Sequence, residues 1–384
     1  MLRYLSAGES HGPALTAIVE GMPAGVFLDT DLINLLLKRR QGGYGRGKRM
    51  EIEKDKVEFL SGVRNGITLG SPITLQIRNK DWQNWQDSMS PYPGAKVEDK
   101  VVTKPRPGHA DLPGAIKYHQ RDMRNILERA SARETALRTA VGGLAKCFLE
   151  QFAIWTLAHV VRIGDVEVKE VDYHALSPAV YDSPLYCSDR KLSGKMVEVI
   201  DKAKRAGDSI GGIFEVVIGG LPVGLGSHVQ WDRRLDGRLA GALMSIPAIK
   251  GVEIGMGFKA AALPGSKVHD QIYYSENRGF YRTTNNAGGL EGGIANGEIL
   301  TIRAAMKPIP TLYSPLLSVD FISKEAFEAS VERSDTCAVP AASVVGECVA
   351  AWEIARAFLE KFGGDHLDEV KESFNSYQEY VKSI

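Results

Sequence analysis

The sequence has no surplus of charge: 47 Lys and Arg balance 47 Asp and Glu over 384 residues. A neutral chain exerts no global pull on nucleic acid or anionic membrane, so any strong charge must be local. It also lacks an uninterrupted apolar run near the ~20 residues that a membrane span needs. The opening MLRYLSAGES has no apolar core of the kind a secretory signal carries, and the expectation is a cytoplasmic protein. Cysteine is scarce. Cys147, Cys187, Cys337 and Cys348 form no C-x-x-C pair, and read as reduced thiols instead of a disulfide frame or a zinc site. No metal is expected. There is no repeat of fixed period and no clean linker.

What is present is ordinary globular material, 44% hydrophobic with 40 glycines, enough for one large core. Capped helical patterns fall at 29–40 and 189–207, and β-rich sequence at 57–79 with a hairpin signal at Asn65 and Gly66. Residues 82–104 show no periodicity and read as a long loop. A helix is expected over 128–152, which would put Arg129 and Arg133 on one face. Strands follow at 153–164, 213–219, 252–258 and 298–306, with a helix at 232–245. Residues 341–364 are apolar on nearly all sides, the pattern of a buried central helix. Strands that cluster, with helices between the clusters, predict an α+β fold. The expected organisation is a single catalytic domain over 1–364 and a polar tail or helix over 365–384.

Three familiar fingerprints fail their context. GGYGRGKR (42–49) matches a P-loop but follows a helix and ends in Arg49 where Ser or Thr should hold magnesium. GDSIG (207–211) runs helix–turn–strand, the reverse of a nucleophile elbow. G-x-G-x-x-A at 255–260 meets Pro264 too soon for a dinucleotide-binding helix. More informative are local charges. KRRQGGYGRGKR (38–49) carries Arg40, Arg46 and Arg49 with no acid, KPRPGHADLPG (104–114) holds Arg106 and His109 between prolines, and Arg133 follows downstream. A solvated basic loop is the plain alternative, but guanidinium forks on stiff and flexible backbone suit a small polyanion. No aromatic ladder accompanies them, so nucleic acid is not expected. GESHGPAL (8–15) sets Ser10 and His11 between glycines, either an ordinary turn or a proton donor.

GESHGPAL, RASARETALRTAVGGLAK (129–146) and RSDTCAVPAASVVGE (333–347) together resemble the three signatures of chorismate synthases. RRQGGYGRG, KPRPGHADLPG, GDSIGG, KGVEIGMGF and KPIPT resemble further blocks of that family in its order. Pro247 and Ala295 depart from the residues usual there. The resemblance implies a β-α-β sandwich subunit, a homotetramer, and the anti-1,4 elimination of phosphate from 5-enolpyruvylshikimate 3-phosphate to give chorismate in the shikimate pathway. It implies reduced FMN as cofactor, with NADPH as one candidate reductant and an outside reductant as the other.

By the same resemblance, His11 with Ser10 stands at the departing phosphate and His109 beside the flavin. Asp335 stands next to flavin N5 as the proton acceptor, and Ser131 joins Ser10 in a relay. FMN would lie along Arg129, Ala130, Ser131, Ala248, Gly292, Lys307, Pro308, Ile309, Pro310, Thr311 and Arg333. Arg40, Arg46, Arg49, Arg106 and Arg133 would hold the substrate or NADP. Two rivals stay open at this point: a phosphotransferase using GGYGRGKR with ATP and magnesium, and a non-catalytic anion-binding protein.

Overall fold

The computed structural model describes residues 1–47, 54–329 and 335–384. Its first layer follows from strict alternation. β1 (Arg3–Ala7), β2 (Ala14–Glu20), β3 (Glu58–Ser61) and β4 (Ile73–Arg78) make a four-stranded antiparallel sheet in the order β1-β2-β4-β3. Leu15, Ala17 and Val19 of β2 and Ile73, Leu75 and Ile77 of β4 are buried on one face. The period of two leaves the other face polar or open. Asn65 and Gly66, both at positive φ, close a two-residue hairpin between Val63–Arg64 and Ile67–Thr68 as expected.

The second layer is a five-stranded antiparallel sheet of β5 (Trp155–Ile163), β6 (Val166–Glu167), β7 (Gly212–Gly219), β8 (Ile249–Ile254) and β9 (Leu300–Met306), in the order β8-β9-β7-β5-β6. Helices lie between and around the two sheets. In chain order these are α1 (Thr30–Gln41), α2 (Asp111–Lys117), α3 (Arg124–Ala130), α4 (Thr135–Glu150), α5 (Arg190–Arg205), α6 (Leu235–Met244), α7 (Val339–Lys361) and α8 (Leu367–Ser383). α4 packs on β2 and β4 on one side and on α7 on the other, while α7 covers β5 and β7. Both helices are therefore buried over most of their length, which is why neither shows a polar face in sequence. The protein is an α+β domain with sheet, helix and sheet in three layers.

Two differences from the sequence expectations matter. The helix expected over 128–152 is broken at Ser131, whose backbone is extended (φ −67°, ψ 140°) and whose Oγ accepts the Arg133 N–H at 3.2 Å. A serine that caps the following turn outcompetes the helical repeat around it. The long loop at 82–104 carries short helical turns at Lys80–Asn84, Gln86–Met89 and Val97–Lys100. Of the two alternatives for the tail, the structure takes the helix, α8, whose Phe374 packs against Phe152, Phe358 and Phe362. As expected, the G-x-G-x-x-A stretch forms only a 3₁₀ turn, Gly257–Ala262.

Candidate active site

Ser10 and His11 sit in the connection between β1 and β2. Gly8 adopts φ 113°, and a Cβ there would lie 2.5 Å from the Ala14 carbonyl oxygen, so glycine is what lets the chain turn this tightly. His11 is tied to Glu128 at the end of α3. Its Nδ1 lies 2.9 Å from Oε1, and its peptide N–H donates to Oε2 at 2.7 Å. The indole of Trp85 stacks on the imidazole with centroids 4.0 Å apart. Burial alone would raise the Glu128 carboxyl, but the bonds and charge of His11, with Arg124 3.6 Å away, hold it below the usual carboxylate range. Ser10 is buried, and its peptide N–H donates to the Glu128 carbonyl at 3.0 Å.

A second histidine is set in the same way. Asp111, at the start of α2 and fully buried, accepts from Arg106 Nε at 2.9 Å and from His109 Nδ1 at 2.5 Å. Burial pushes this carboxyl up, yet the bonds from His109 and Arg106 prevail and keep it far below the usual range. Arg106 reaches on to Thr311 Oγ1 at 3.2 Å. Lys307 Nζ donates to the Gly108 carbonyl, and its peptide N–H donates to Ala248 at 2.9 Å. Ser209, in the rejected elbow motif, donates its hydroxyl to the Ile309 carbonyl at 2.7 Å. It ties residues 307–311, including Pro308 and Pro310, to the neighbouring Ile210, whose N–H donates to Thr336 at 2.9 Å. The adjacent Asp335 accepts from Arg46 at 2.5 Å and from the Gly47 N–H at 2.7 Å.

The arginines do not share one environment. Arg133 donates to Asp55 at 2.6 Å and to Asn79, and Arg40 donates to Thr135, to the Ala132 carbonyl and, at 3.4 Å, to Asp55. Burial draws the Arg40 guanidinium down to about 10 against the opposing pull of Asp55. Arg129, by contrast, is exposed and donates to the backbone of Ser6 and Gly8, so it does not share a face with Arg133 as the unbroken helix would have required. Ala130 and Ser131 follow it at the break. Asn79 links the two halves, donating to the Gly12 carbonyl at 2.7 Å while accepting from Arg133.

Residues expected at the flavin are thus drawn together at Ala248, His109 and 307–311. Gly292 enters none of these hydrogen bonds: its neighbour Gly293 accepts from the Leu235 N–H at the start of α6, whereas Ala248 follows the other end of that helix. Arg49 and Arg333 lie outside the described residues. The sequence reading assigned no role to Glu128, Asp111, Asp55, Asn79 or Trp85. Asp111 lies inside KPRPGHADLPG two residues from His109, and an acid that close to a candidate acid–base histidine was an available signal, whereas Glu128, 117 residues from His11, had none. Among the described residues no cluster of His, Cys, Asp and Glu could hold a metal ion, and no helix is long and apolar enough to cross a membrane.

Comparison with known proteins gives this geometry a context. The chorismate synthase family model matches residues 2–359. The chain is 62% identical over 387 residues to the chorismate synthase of Desulforamulus reducens and 61% identical over 385 residues to that of Moorella thermoacetica, covering all of each. A crystal structure of a chorismate synthase superposes with a TM-score of 0.81 at 48% identity, covering 100% of this chain and 99% of that one. The chain belongs to the chorismate synthase family.

Proposed function

We propose that the protein converts 5-enolpyruvylshikimate 3-phosphate to chorismate by eliminating phosphate, with reduced FMN bound, as a homotetramer in the cytoplasm. The observation that carries this reading is the pair of buried-carboxylate histidines, His11 and His109, set among arginines in a chain of zero net charge. The substrate carries a phosphate and two carboxylates. Arg46 and Arg106 can grip them bidentately, with Arg40, Arg49 and Arg133 as further candidates. His11 protonates the departing phosphate, and the Asp335 carboxylate takes up the proton lost from the ring. Ser10, whose peptide N–H meets the carbonyl of Glu128 three residues before Ser131, would share a relay of that proton with Ser131. His109 supplies positive charge on the flavin side.

The donor set fits a phosphorylated, anionic cofactor. The partners of Arg129 and Lys307 are neutral oxygens of Ser6, Gly8 and Gly108, so among the described residues neither cation is spent on a carboxylate. Arg129, Ala130, Ser131, Ala248 and residues 307–311 would hold FMN, with Gly292 and Arg333 as further candidates. Reduced FMN held there would supply electron density transiently as the allylic C–O bond breaks and would recover it, so that the elimination stays redox-neutral. An anaerobic assay with substrate and chemically reduced FMN, with and without NADPH, tests the reading. Chorismate formation with reduced FMN and loss of most turnover in Asp335→Asn, with both ligands still bound, is the expected result. Magnesium-dependent ATP turnover without flavin, or substrate binding with no turnover, would sink it.

A further inference from the structure

We propose that Glu128 is a positioning residue: its buried carboxylate keeps a proton on His11 Nδ1, so that Nε2 is the nitrogen that exchanges a proton with the leaving group. The inference rests on the reading of His11 as the acid, and it adds which atom acts and what selects it.

Glu128 engages His11 twice, through the ring at Nδ1 and through the peptide N–H. Two bonds from one carboxylate fix both where the residue sits and how its ring is turned. The Glu128 side chain is only 2% exposed and that of His11 14%, so water competes weakly for either contact. An ionised carboxylate can only accept, so Nδ1 must be the donor whether the ring is neutral or charged. The proton that comes and goes is then the one on Nε2. Trp85 stacks on one ring face and so restricts rotation of the imidazole away from this orientation. Ser10, bonded through its peptide N–H to the Glu128 carbonyl, is registered to the same residue. A purely structural role, in which Glu128 clamps the turn through the backbone alone, would leave the tautomer of His11 indifferent to the change of Glu to Gln.

In Glu128→Gln the amide oxygen can still accept the His11 peptide N–H. Its NH₂ then faces Nδ1 and donates, which moves the neutral-ring proton to Nε2. The test uses the full-length enzyme labelled with ¹⁵N-histidine, the His11 signals being assigned by their absence in His11→Ala. Wild type should show the Nδ1–H tautomer and Glu128→Gln the Nε2–H tautomer. Turnover should fall by roughly 10–10³-fold in kcat with KM nearly unchanged, the pattern of a group that matters in the transition state. The double variant should be no slower than His11→Ala alone, because Glu128 acts only through His11.

An Nε2–H tautomer in the wild-type protein overturns the proposal without any variant, so a folding failure of Glu128→Gln cannot shield it. Losses that multiply in the double variant overturn it as well. If His11→Ala turns over at the wild-type rate, the reading of His11 as acid fails and takes the proposal with it. That case is recognised because Glu128→Gln would then shift the ¹⁵N signals and leave turnover intact.

Discussion

Two histidines each held by a buried carboxylate are the main residue-scale finding, and Asp111 is the more consequential of the two for stability. It joins Arg106 and His109 with no exposure to water. Its carboxyl is depressed in the folded protein, so the ionised form is favoured by folding. A depressed acid contributes stability that is complete above its unfolded value, ~3.9, and is lost as pH falls below that towards the folded value. Wild-type stability should therefore decline from about pH 4 downward in part because of this group. Asp111→Asn should be less stable at neutral pH by roughly 3–5 kcal/mol, as expected when one partner of a buried pair is removed. It should also lose that share of the acid-induced decline. Urea midpoints measured for both proteins between neutral pH and pH 3 check this. Equal slopes against pH in the two proteins would show that Asp111 is not the titrating group.

At the scale of elements, the contact between α4 and α7 decides whether the three layers close. Gly142 of α4 lies against α7 so closely that a Cβ would meet the Cys348 carbonyl oxygen at 2.3 Å. Neither partner is a flexible side-chain end, so Gly142→Ala must push two helices apart and should cost ~1–3 kcal/mol or more. Gly194, on the exposed side of α5, meets nothing within 4 Å, and Ala there should stabilise by up to about 1 kcal/mol. Thermal midpoints of the two variants should move in opposite directions. A Gly142→Ala protein as stable as wild type would mean the layers are looser than the contact implies.

Most of these elements were legible. Asp29 as N-cap, the β-rich sequence that holds β3 and β4, and the all-round apolar character of α7 each carry a local signal that survives in the fold, whereas β1 and β2 were not among the strands expected. The break at Ser131 was not legible, because alanine-rich sequence on both sides continues the helical repeat and the cap competes only once Arg133 is anchored to Asp55 and Asn79. The same limit applies to the site. His11, His109 and Asp335 stand in compact motifs, whereas Asp55, Asn79 and Trp85 act across separations of 54 to 78 residues or from aperiodic sequence. Nothing local announces such partners.

For the whole molecule, neutrality overall together with arginines in the candidate site, Arg46 and Arg106 foremost, has a measurable result. Substrate affinity should fall steeply with added salt, since several guanidinium groups would meet one small polyanion and partly exposed charges are screened over ~8–10 Å at ordinary ionic strength. Titrating the substrate from low to high salt checks this. A dissociation constant that barely moves would argue against Arg46 and Arg106 as its grip.

The long-range pairing of Arg46 with Asp335 also bears on how the chain is made. Strands β1 to β4 are complete by residue 78, but the site they frame needs a loop and a helix some 260 residues later. Ala24, shortly after β2, is tied to the segment opening α8, where Ala24 N–H donates to Asp365 and Leu367 N–H to Ala24, each at 2.9 Å. Emerging from the ribosome at about 5–20 residues per second, the first sheet would wait several seconds for α4 to cover its apolar face, and the site would wait longer still for Asp335. Such a chain has a high contact order and slow closure, and it depends during synthesis on whatever shields a half-built sheet from its neighbours.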